Sequence, residues 1–202
     1  MKVLVACEES QEVCKKFRAR GHDAYSCDIQ PPSGGHPEWH IQGDALVEAY
    51  SGKYDIMIAH PPCTFISRAG ARWMFPKAGV LCEHRYNKAI LAKDFFMKLL
   101  SAPIHSIAIE NPTPLKIVGL PAPTQVVQPY QYGHPYSKRT LLWLKNLPPL
   151  KPTQTLKIYT PYLPSNTGGK KRGQKYHYKT ISQKESSKTF SGIAQAMADQ
   201  WG

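Results

Sequence analysis

Short apolar segments alternate with amphipathic ones along the first half of the chain. Residues 2–6 predict a buried strand because they are apolar and rich in β-branched side chains. Residues 11–20 have the apolar spacing of a helix, with Gly21 as its stop signal. Two further strands are predicted at residues 23–27 and 54–59. Strand, helix and strand in this order open a parallel sheet, so we expect an α/β fold with a doubly wound, mostly parallel sheet.

The second half continues this alternation. A helix is predicted at residues 86–100, a buried strand at 106–109 and another strand at 140–144. The last helix, residues 190–201, is predicted to have Ser191 as its N-cap. Its period turns four side chains toward the core, namely Ile193, Ala196, Met197 and Trp201.

The stretch at residues 148–189 breaks the pattern, because it is rich in Pro, Thr, Gly, Lys and Tyr and has no strong period. A chain of 202 residues can bury one good core. We therefore expect a single α/β domain made of residues 1–147 and 190–202. The intervening segment is expected to be a basic, loop-rich insertion.

Polar and reactive residues follow the predicted strands. Ligands of an open parallel sheet bind beyond the carboxyl ends of its strands, so the residues just after each strand are the ones to compare. They are Cys7-Glu8-Glu9-Ser10, Asp28, His60-Pro61-Pro62-Cys63 and Glu110-Asn111-Pro112. A thiol and a carboxylate are thus expected at one edge of the sheet.

Cys63 and Glu110 each allow a structural and a chemical interpretation. Two prolines before Cys63 make a stiff support for a nucleophile, although a free cysteine more often packs as a small apolar side chain. Glu110 ends an apolar run, where loss of water is expected to raise its pKa and favour a protonated form that can donate to a ring nitrogen. A structural ion pair or a helix cap would also explain Glu110.

The positive charge of the chain is unevenly distributed. The net charge is +12, but residues 1–59 carry −3 (six Lys and Arg against nine Asp and Glu) and residues 60–202 carry +15 (twenty against five). Nucleic acid is the favoured partner of the basic part, with a merely soluble basic surface as the alternative. Cations interleaved with aromatics at 168–179 suit phosphate contacts and base stacking, although a mobile basic loop would look similar; the cations include Lys170, Lys171 and Arg172.

Cysteine usage and hydropathy bound the setting of the protein. Five cysteines without a CxxC pair favour neither a disulfide framework nor a zinc site, so we expect no metal and a reducing, cytoplasmic compartment. No apolar run approaches the ~18 residues needed to cross a bilayer, so no membrane is expected.

The two strand-end motifs resemble a known family. His60-Pro61-Pro62-Cys63, followed about fifty residues later by Glu110-Asn111-Pro112, is similar to the Pro-Cys and Glu-Asn motifs of the cytosine-5 DNA methyltransferases. The resemblance implies a Rossmann-like sheet that binds S-adenosylmethionine. It also implies that Cys63 adds to C6 of a flipped-out cytosine, that Glu110 contacts N3 and the exocyclic amine, and that C5 then accepts a methyl group.

The order of the remaining landmarks carries the resemblance over residues 1–147 and 190–201. Arg139 matches the second Arg of the family's Arg-bearing motif and is expected to stabilise the bound nucleotide. The residues expected to bind the cofactor are Cys7, Glu8, Glu9, Ser10, Asp28, Ile29, Asp44, Ala45, Pro61 and Ser191. Those expected to bind the substrate are Pro62, Thr64, Ser67, Arg68, Asn111, Lys138, Lys170, Lys171 and Arg172.

Two departures from the family pattern refine these expectations, and the loop after Cys63 allows two interpretations. The first turn contains no glycine, and Glu9 is expected to bind the ammonium group of the cofactor. Only about forty residues replace the family's target-recognition region, which predicts little sequence specificity. The loop at 64–84 carries Arg68, Arg72, Trp73 and Phe75, and it either closes over the substrate or packs as a surface loop.

Two alternative functions remain open at this point. The same Cys and Glu chemistry could modify a free pyrimidine nucleotide or use another one-carbon donor. A catalytically silent protein of this fold could instead bind nucleic acid or a partner. Small chains of this pattern resemble proteins of bacteriophages, where base modification shields DNA in the cytoplasm of a bacterial host.

Overall fold

A seven-stranded sheet forms the centre of the computed structural model, which describes residues 1–161 and 187–202. Its strands, in chain order, are β1 (Lys2–Ala6), β2 (Asp23–Asp28), β3 (His40–Gln42), β4 (Ile56–Ala59), β5 (Ser106–Pro112), β6 (Gln125–Val127) and β8 (Thr140–Lys145). A separate pair is formed by β7 (Tyr136–Ser137) and β9 (Thr160–Pro161).

The large sheet has the strand order β3-β2-β1-β4-β5-β8-β6. The first five strands pair in parallel, and β8 runs antiparallel to both of its neighbours. The chain thus starts at the middle of the sheet, builds outward to β3, and crosses back to β4 on the other side. The expected α/β fold with a doubly wound, mostly parallel sheet is confirmed.

Helices cover both faces of the sheet. Alternation along β1 turns Val3 and Val5 toward one face, where α1 (Glu12–Ala19) and α5 (Ser191–Trp201) pack. Leu4 and Ala6 face the other way, toward α2 (Ala45–Ala49) and α4 (Glu83–Leu100). A short helix, α3 (Ala71–Met74), lies in the loop after β4. The four side chains expected to point inward from the last helix are all buried there, namely Ile193, Ala196, Met197 and Trp201.

Several element boundaries differ from the predicted ones. β4 begins at Ile56 and α4 begins at Glu83, two residues later and three residues earlier than expected. β5 also differs by three residues, because it continues to Pro112 instead of ending at Ile109. Its parallel partner β4 ends opposite Ile109, but β8 pairs with the next three residues and keeps them extended.

The last helix does not use Ser191 as its N-cap. Phe190 holds that position with extended backbone and no side-chain cap bond, and Ser191 is the first helical residue. A ring nitrogen of His134 accepts the N–H of Gly192 at 2.9 Å. A free N–H of the first turn is thereby satisfied by an imidazole from a distant loop, which the local sequence did not indicate.

Gly192 also fixes how closely α5 approaches the rest of the protein. A methyl group at this position would overlap the carbonyl oxygen of Tyr132, which is backbone and cannot rotate away. We expect Gly192→Ala to lower the free energy of unfolding by about 3 kcal/mol in urea titrations. Ser191→Ala, at an exposed position of the same helix, is the matched control and is expected to change it little. Equal stabilities of the two variants would contradict this close approach.

Most of the predicted insertion at 148–189 lies outside the described residues, and so do Lys170, Lys171 and Arg172. Within its described part, Leu150 is buried in the core beneath α1 and α5.

Candidate functional site

The two predicted motifs meet at the carboxyl edge of the parallel strands. β4 and β5 are neighbours, with Ala59 opposite Ile109, so the residues that follow emerge side by side. The side-chain amide of Asn111 donates to the carbonyl oxygen of Pro61 at 2.9 Å. A ring nitrogen of His60, Nδ1, lies 3.1 Å from Oε2 of Glu110. These two hydrogen bonds lock the Cys63 segment to the Glu110 segment.

The chain segments after the two motifs are also joined. The backbone N–H of Arg68 donates to Thr113 at 2.9 Å, and that of Leu115 donates to Ile66 at 2.7 Å. A small separate core lies beneath them and includes Ile66, Met74, Ala89, Leu115 and Val118. The loop after Cys63 is therefore packed against the loop after Glu110, which favours the packed alternative for its backbone.

The packed loop still presents cations and aromatic rings to solvent. Arg68 and Arg72 lie at its surface, and Trp73 and Phe75 are 51% and 37% exposed. The guanidinium of Arg72 lies 3.9 Å from the ring centre of Trp73. This surface adjoins Cys63 and suits contacts with phosphates and bases.

Cys63 is half-buried in a tight turn. Its carbonyl oxygen accepts the N–H of Ser67 at 2.9 Å, and the Ser67 hydroxyl interacts with the thiol. Burial and the nearby charge of Glu110 raise the pKa of the Cys63 thiol, while Lys138 and Ser67 oppose the shift. The resting thiol is therefore protonated at neutral pH and must lose its proton before it can attack.

A second cysteine, Cys7, lies at the same edge of the sheet and provides a comparison. Burial raises the pKa of the Cys7 thiol strongly, and the carboxylates of Asp28 and Asp44 raise it further. Cys63 differs because Lys138 favours its thiolate. Of the two thiols, Cys63 is the better placed nucleophile.

Glu110 was expected to be protonated, but its neighbours favour the ionised carboxylate. Burial alone would raise the pKa of this carboxyl, as the sequence suggested, but the hydrogen bond and charge of His60 outweigh burial, with help from Lys138. The pKa of Glu110 is lowered as a result, and the resting side chain is a carboxylate. The only indication of this lowered pKa in the sequence was His60, three residues before Cys63.

His60 carries the complementary positive charge. Burial alone would lower the pKa of this imidazole, but the hydrogen bond and charge of Glu110, together with the charge of Glu8, outweigh burial and raise it. Only 11% of the His60 side chain is exposed. The site thus contains a largely enclosed pair, His60 and Glu110, in which each partner favours the charged form of the other; the sequence did not indicate this pair.

The positive charge that acts on the site comes from Lys138, although Arg139 was the cation expected there. The charge of Lys138 acts on His60, Cys63 and Glu110. Arg139 is exposed and is not among the groups that shift the pKa of those three residues. Neighbouring residues of an extended chain point to opposite sides, so only one member of the pair can face Glu110.

The pH dependence of Cys63 alkylation can distinguish the effect of Lys138 from that of Arg139. Lys138→Gln removes a charge that favours the thiolate, so the pH at which Cys63 becomes half-alkylated in a fixed time should rise. Site-resolved mass spectrometry after timed iodoacetamide treatment measures this midpoint. Arg139→Gln is the matched control and should leave it unchanged. A larger shift in the Arg139 variant would contradict this assignment.

A cavity of about 330 Å³ opens beside this site, beyond β1, β2 and β4. Five residues predicted to bind the cofactor line it, namely Cys7, Asp28, Ile29, Asp44 and Ala45. The sequence analysis missed five others for this role, namely Gln30, Gly43, His60, Ala92 and Phe95. Ala92 and Phe95 belong to α4, so a comparison of the residues that follow strands could not identify them.

The remaining predicted cofactor residues do not line this cavity. Glu8 is buried, and its two carboxylate oxygens accept the N–H groups of Val13 and Cys14 at 2.7 and 3.2 Å, so it caps α1. The carboxylate of Glu9 accepts the hydroxyl of Ser33. The other three, Ser10, Pro61 and Ser191, are also absent from the cavity lining.

The glycine-free first turn is accommodated by two residues with left-handed backbone. Cys7 and Gln11 both have φ near 59°, a conformation that glycine would adopt more easily. Because the carboxylate of Glu8 fills the N-terminus of α1, that end of the helix cannot receive the carboxylate of a ligand.

The predicted substrate residues that the structure describes differ in exposure. Thr64 and Arg68 are exposed, whereas Ser67 and Asn111 are buried. Pro62, the residue before Cys63, also lines the cavity.

Residues 1–161 and 187–202 contain no group of three or more His, Cys, Asp or Glu side chains able to hold a metal ion. None of their helices combines the length and the apolar character needed to span a bilayer.

Comparison with known proteins gives structural likeness only. No protein-family model and no curated protein matches the chain. A candidate DNA modification methyltransferase encoded within an Escherichia coli prophage aligns with a TM-score of 0.46 and 13% identity over 79% of this chain and 53% of that one. A mutant of DNMT2 from Spodoptera frugiperda aligns with a TM-score of 0.38 and 15% identity over 81% and 55%. The chain thus spans about half the length of these structures.

Proposed function

We propose that this protein methylates C5 of cytosine in DNA, with S-adenosylmethionine as the donor and Cys63 as the covalent nucleophile. The observation that carries the proposal is the locking of the Cys63 and Glu110 segments by two hydrogen bonds at the carboxyl edge of the sheet. A thiol and a carboxylate held in this way can act on the same ring, one on carbon C6 and the other on nitrogen N3.

The cavity beside them suits the nucleoside part of the cofactor. Ile29 is 76% exposed at its edge, and Phe95, Ala45 and Ala92 add apolar surface against which a planar base can pack. Asp28 and Asp44 supply carboxylates that can accept hydrogen bonds from ribose hydroxyls or an exocyclic amine. When bound there, S-adenosylmethionine would supply an electrophilic methyl group.

The negative charges of the first turn suit the ammonium end of the same cofactor. Glu9 lies next to the capping residue Glu8 and remains our proposed ammonium ligand. A free carboxylate of the ligand is excluded from the N-terminus of α1, since Glu8 already occupies it.

Cys63 begins the reaction when its thiol loses a proton to solvent, a step favoured by Lys138. The sulfur then forms a bond to C6 of the cytosine, and the displaced ring electrons make N3 more basic. The Glu110 carboxylate accepts a hydrogen bond from the exocyclic amine, and N3 gains a proton through this carboxyl, which stabilises the adduct. After methyl transfer, C5 loses its proton to solvent, the bond between sulfur and C6 breaks, and N3 gives its proton back. Because the Cys63 pKa is raised, the rate of addition should rise with pH through the neutral range.

DNA is the proposed carrier of the cytosine, on two grounds. The chain carries +15 beyond residue 59, and cations and rings at the surface of the loop after β4 adjoin the thiol. The basic residues Lys170, Lys171 and Arg172 are proposed to add phosphate contacts. A short insertion at 148–189 is proposed to replace a large target-recognition region.

Cofactor binding gives the first test. We expect S-adenosylhomocysteine to bind in isothermal titration calorimetry, and Asp28→Asn to weaken it about tenfold through loss of a hydrogen bond to a charged acceptor. Asp23→Asn is the matched control, because Asp23 lies at the opposite end of the same strand and pairs with Arg18. It should bind like the wild type. No binding heat at high protein concentration would remove the methyltransferase assignment.

A further inference from the structure

His60 stands where the cofactor cavity and the catalytic carboxylate adjoin. It lines the cavity, and its Nδ1 contacts Oε2 of Glu110 at 3.1 Å. The side chain is nearly enclosed, with 11% exposure, and Glu110 is 16% exposed. An imidazole in this position can affect the reaction, because it contacts Glu110, the residue proposed to bind the base.

Charged groups reach His60 from several elements. Glu8 follows β1 and Glu110 belongs to β5, and both favour the protonated imidazole. Lys138, just before β8, opposes it. The hydroxyl of Thr189, just before α5, lies 3.5 Å from Nδ1. Two acidic side chains favour the protonated imidazole and one ammonium group opposes it, so His60 is a nearly enclosed group that favours holding a proton.

The proposed reaction needs a source for the proton that N3 gains. Cys63 addition places electron density on N3, which then needs a proton, but the resting Glu110 is a carboxylate and has none to give. Bulk water is a poor source because the pair is nearly enclosed. The titratable side chain in contact with Glu110 is His60, whose Nδ1 lies 3.1 Å from Oε2 of Glu110.

We infer that His60 is a positioning residue that orients Glu110 and lends it the proton that N3 of the pyrimidine receives during Cys63 addition. The inference rests on the proposed function. In the forward step, the proton leaves Nδ1 for the Glu110 carboxylate as the carboxyl gives a proton to N3, so His60 becomes neutral and Glu110 is again a carboxylate. When the bond between sulfur and C6 breaks, N3 returns its proton by the same route and His60 is restored.

Hydrogen exchange at C5 tests this inference without any cofactor. Reversible Cys63 addition makes C5 able to take up deuterium from solvent, and mass spectrometry of nucleosides from a cytosine-containing oligonucleotide measures the uptake. His60→Gln keeps a hydrogen-bond donor but cannot carry the proton. We expect its exchange rate at neutral pH to fall about 10²-fold. His105→Gln, exposed just before the start of β5, is the matched control and should exchange like the wild type.

The pH profile separates proton storage from a purely structural role. The wild-type rate should rise with pH as Cys63 ionises and should stop rising where His60 loses its proton. In His60→Gln this levelling should move to lower pH, where Glu110 itself is the last carrier. A structural role would lower the rate equally at every pH. As a readout independent of turnover, Glu110→Gln should lower the pKa of His60 in a ¹⁵N NMR titration of the histidine rings.

The outcomes distinguish this inference from the function on which it rests. Exchange that is equal in the wild type and His60→Gln, or lowered by the same factor at all pH values, overturns the role of His60 and leaves the function standing. Exchange by the wild type without methyl transfer removes the donor from the proposed function and leaves the role of His60 standing. A wild type that never exchanges C5 hydrogen overturns both.

Discussion

Replacement of Cys63 by alanine is expected to reduce methyl transfer to cytosine by roughly 10⁴-fold or more, because alanine cannot form the bond to C6. The fold should survive, since the half-buried thiol can be shortened without leaving a buried partner charge. A denaturing gel gives a second measurement. With S-adenosylmethionine and an oligonucleotide containing 5-fluorocytosine, the wild type should form a complex that resists denaturation, because fluorine cannot leave C5 as a proton does.

Cys82→Ala is the control for this variant. Cys82 is also free and partly exposed, but it precedes α4 away from the paired motifs. It should retain both activity and the trapped complex. A trapped complex in Cys63→Ala would instead assign the attack to another residue, with Cys7 as the first one to examine because it lies at the same edge of the sheet.

Glu110→Gln is expected to lower the rate of methyl transfer by about 10²- to 10⁴-fold. Glutamine can still contact the exocyclic amine, but it cannot carry a proton to N3. The variant also removes the negative charge that raises the pKa of Cys63, so alkylation of the free thiol should become faster at a given pH. Opposite changes in catalysis and in thiol reactivity would show that Glu110 acts on the substrate and does not activate the nucleophile.

The control for this prediction is Glu83→Gln, at an exposed position in the first turn of α4. It changes the net charge equally and should affect neither measurement. Full activity of Glu110→Gln would contradict the role proposed for this carboxyl.

The position of the thiol and the carboxylate could be predicted from the sequence because it depends on few facts. Parallel strands bring their carboxyl ends to one edge, and the apolar runs before Cys63 and Glu110 are short enough to be recognised as strands. The same rule located Asp28 and Ile29, which line the cavity. These inferences need only the order of strands and no side-chain geometry.

The chemistry of that edge could not be predicted in the same way. Glu110 was expected to be protonated because burial was the only visible influence, and the opposing influence comes from His60 at a distance set by the register of β4 and β5. The electrostatic role of Lys138 required knowing which side of the chain faces Glu110. Likewise, the capping of α1 by Glu8 depends on a turn built from two left-handed residues that are not glycine.

Analysis of reaction products tests the central claim most directly. The protein is incubated with S-adenosylmethionine and, separately, with duplex DNA, single-stranded DNA and dCTP, and the nucleosides are separated and weighed by mass spectrometry. The account predicts 5-methyl-2′-deoxycytidine from DNA with the wild type and none with Cys63→Ala. Methylation of dCTP alone would move the function to free nucleotides, and unmodified cytosine in all three substrates would contradict the proposed activity.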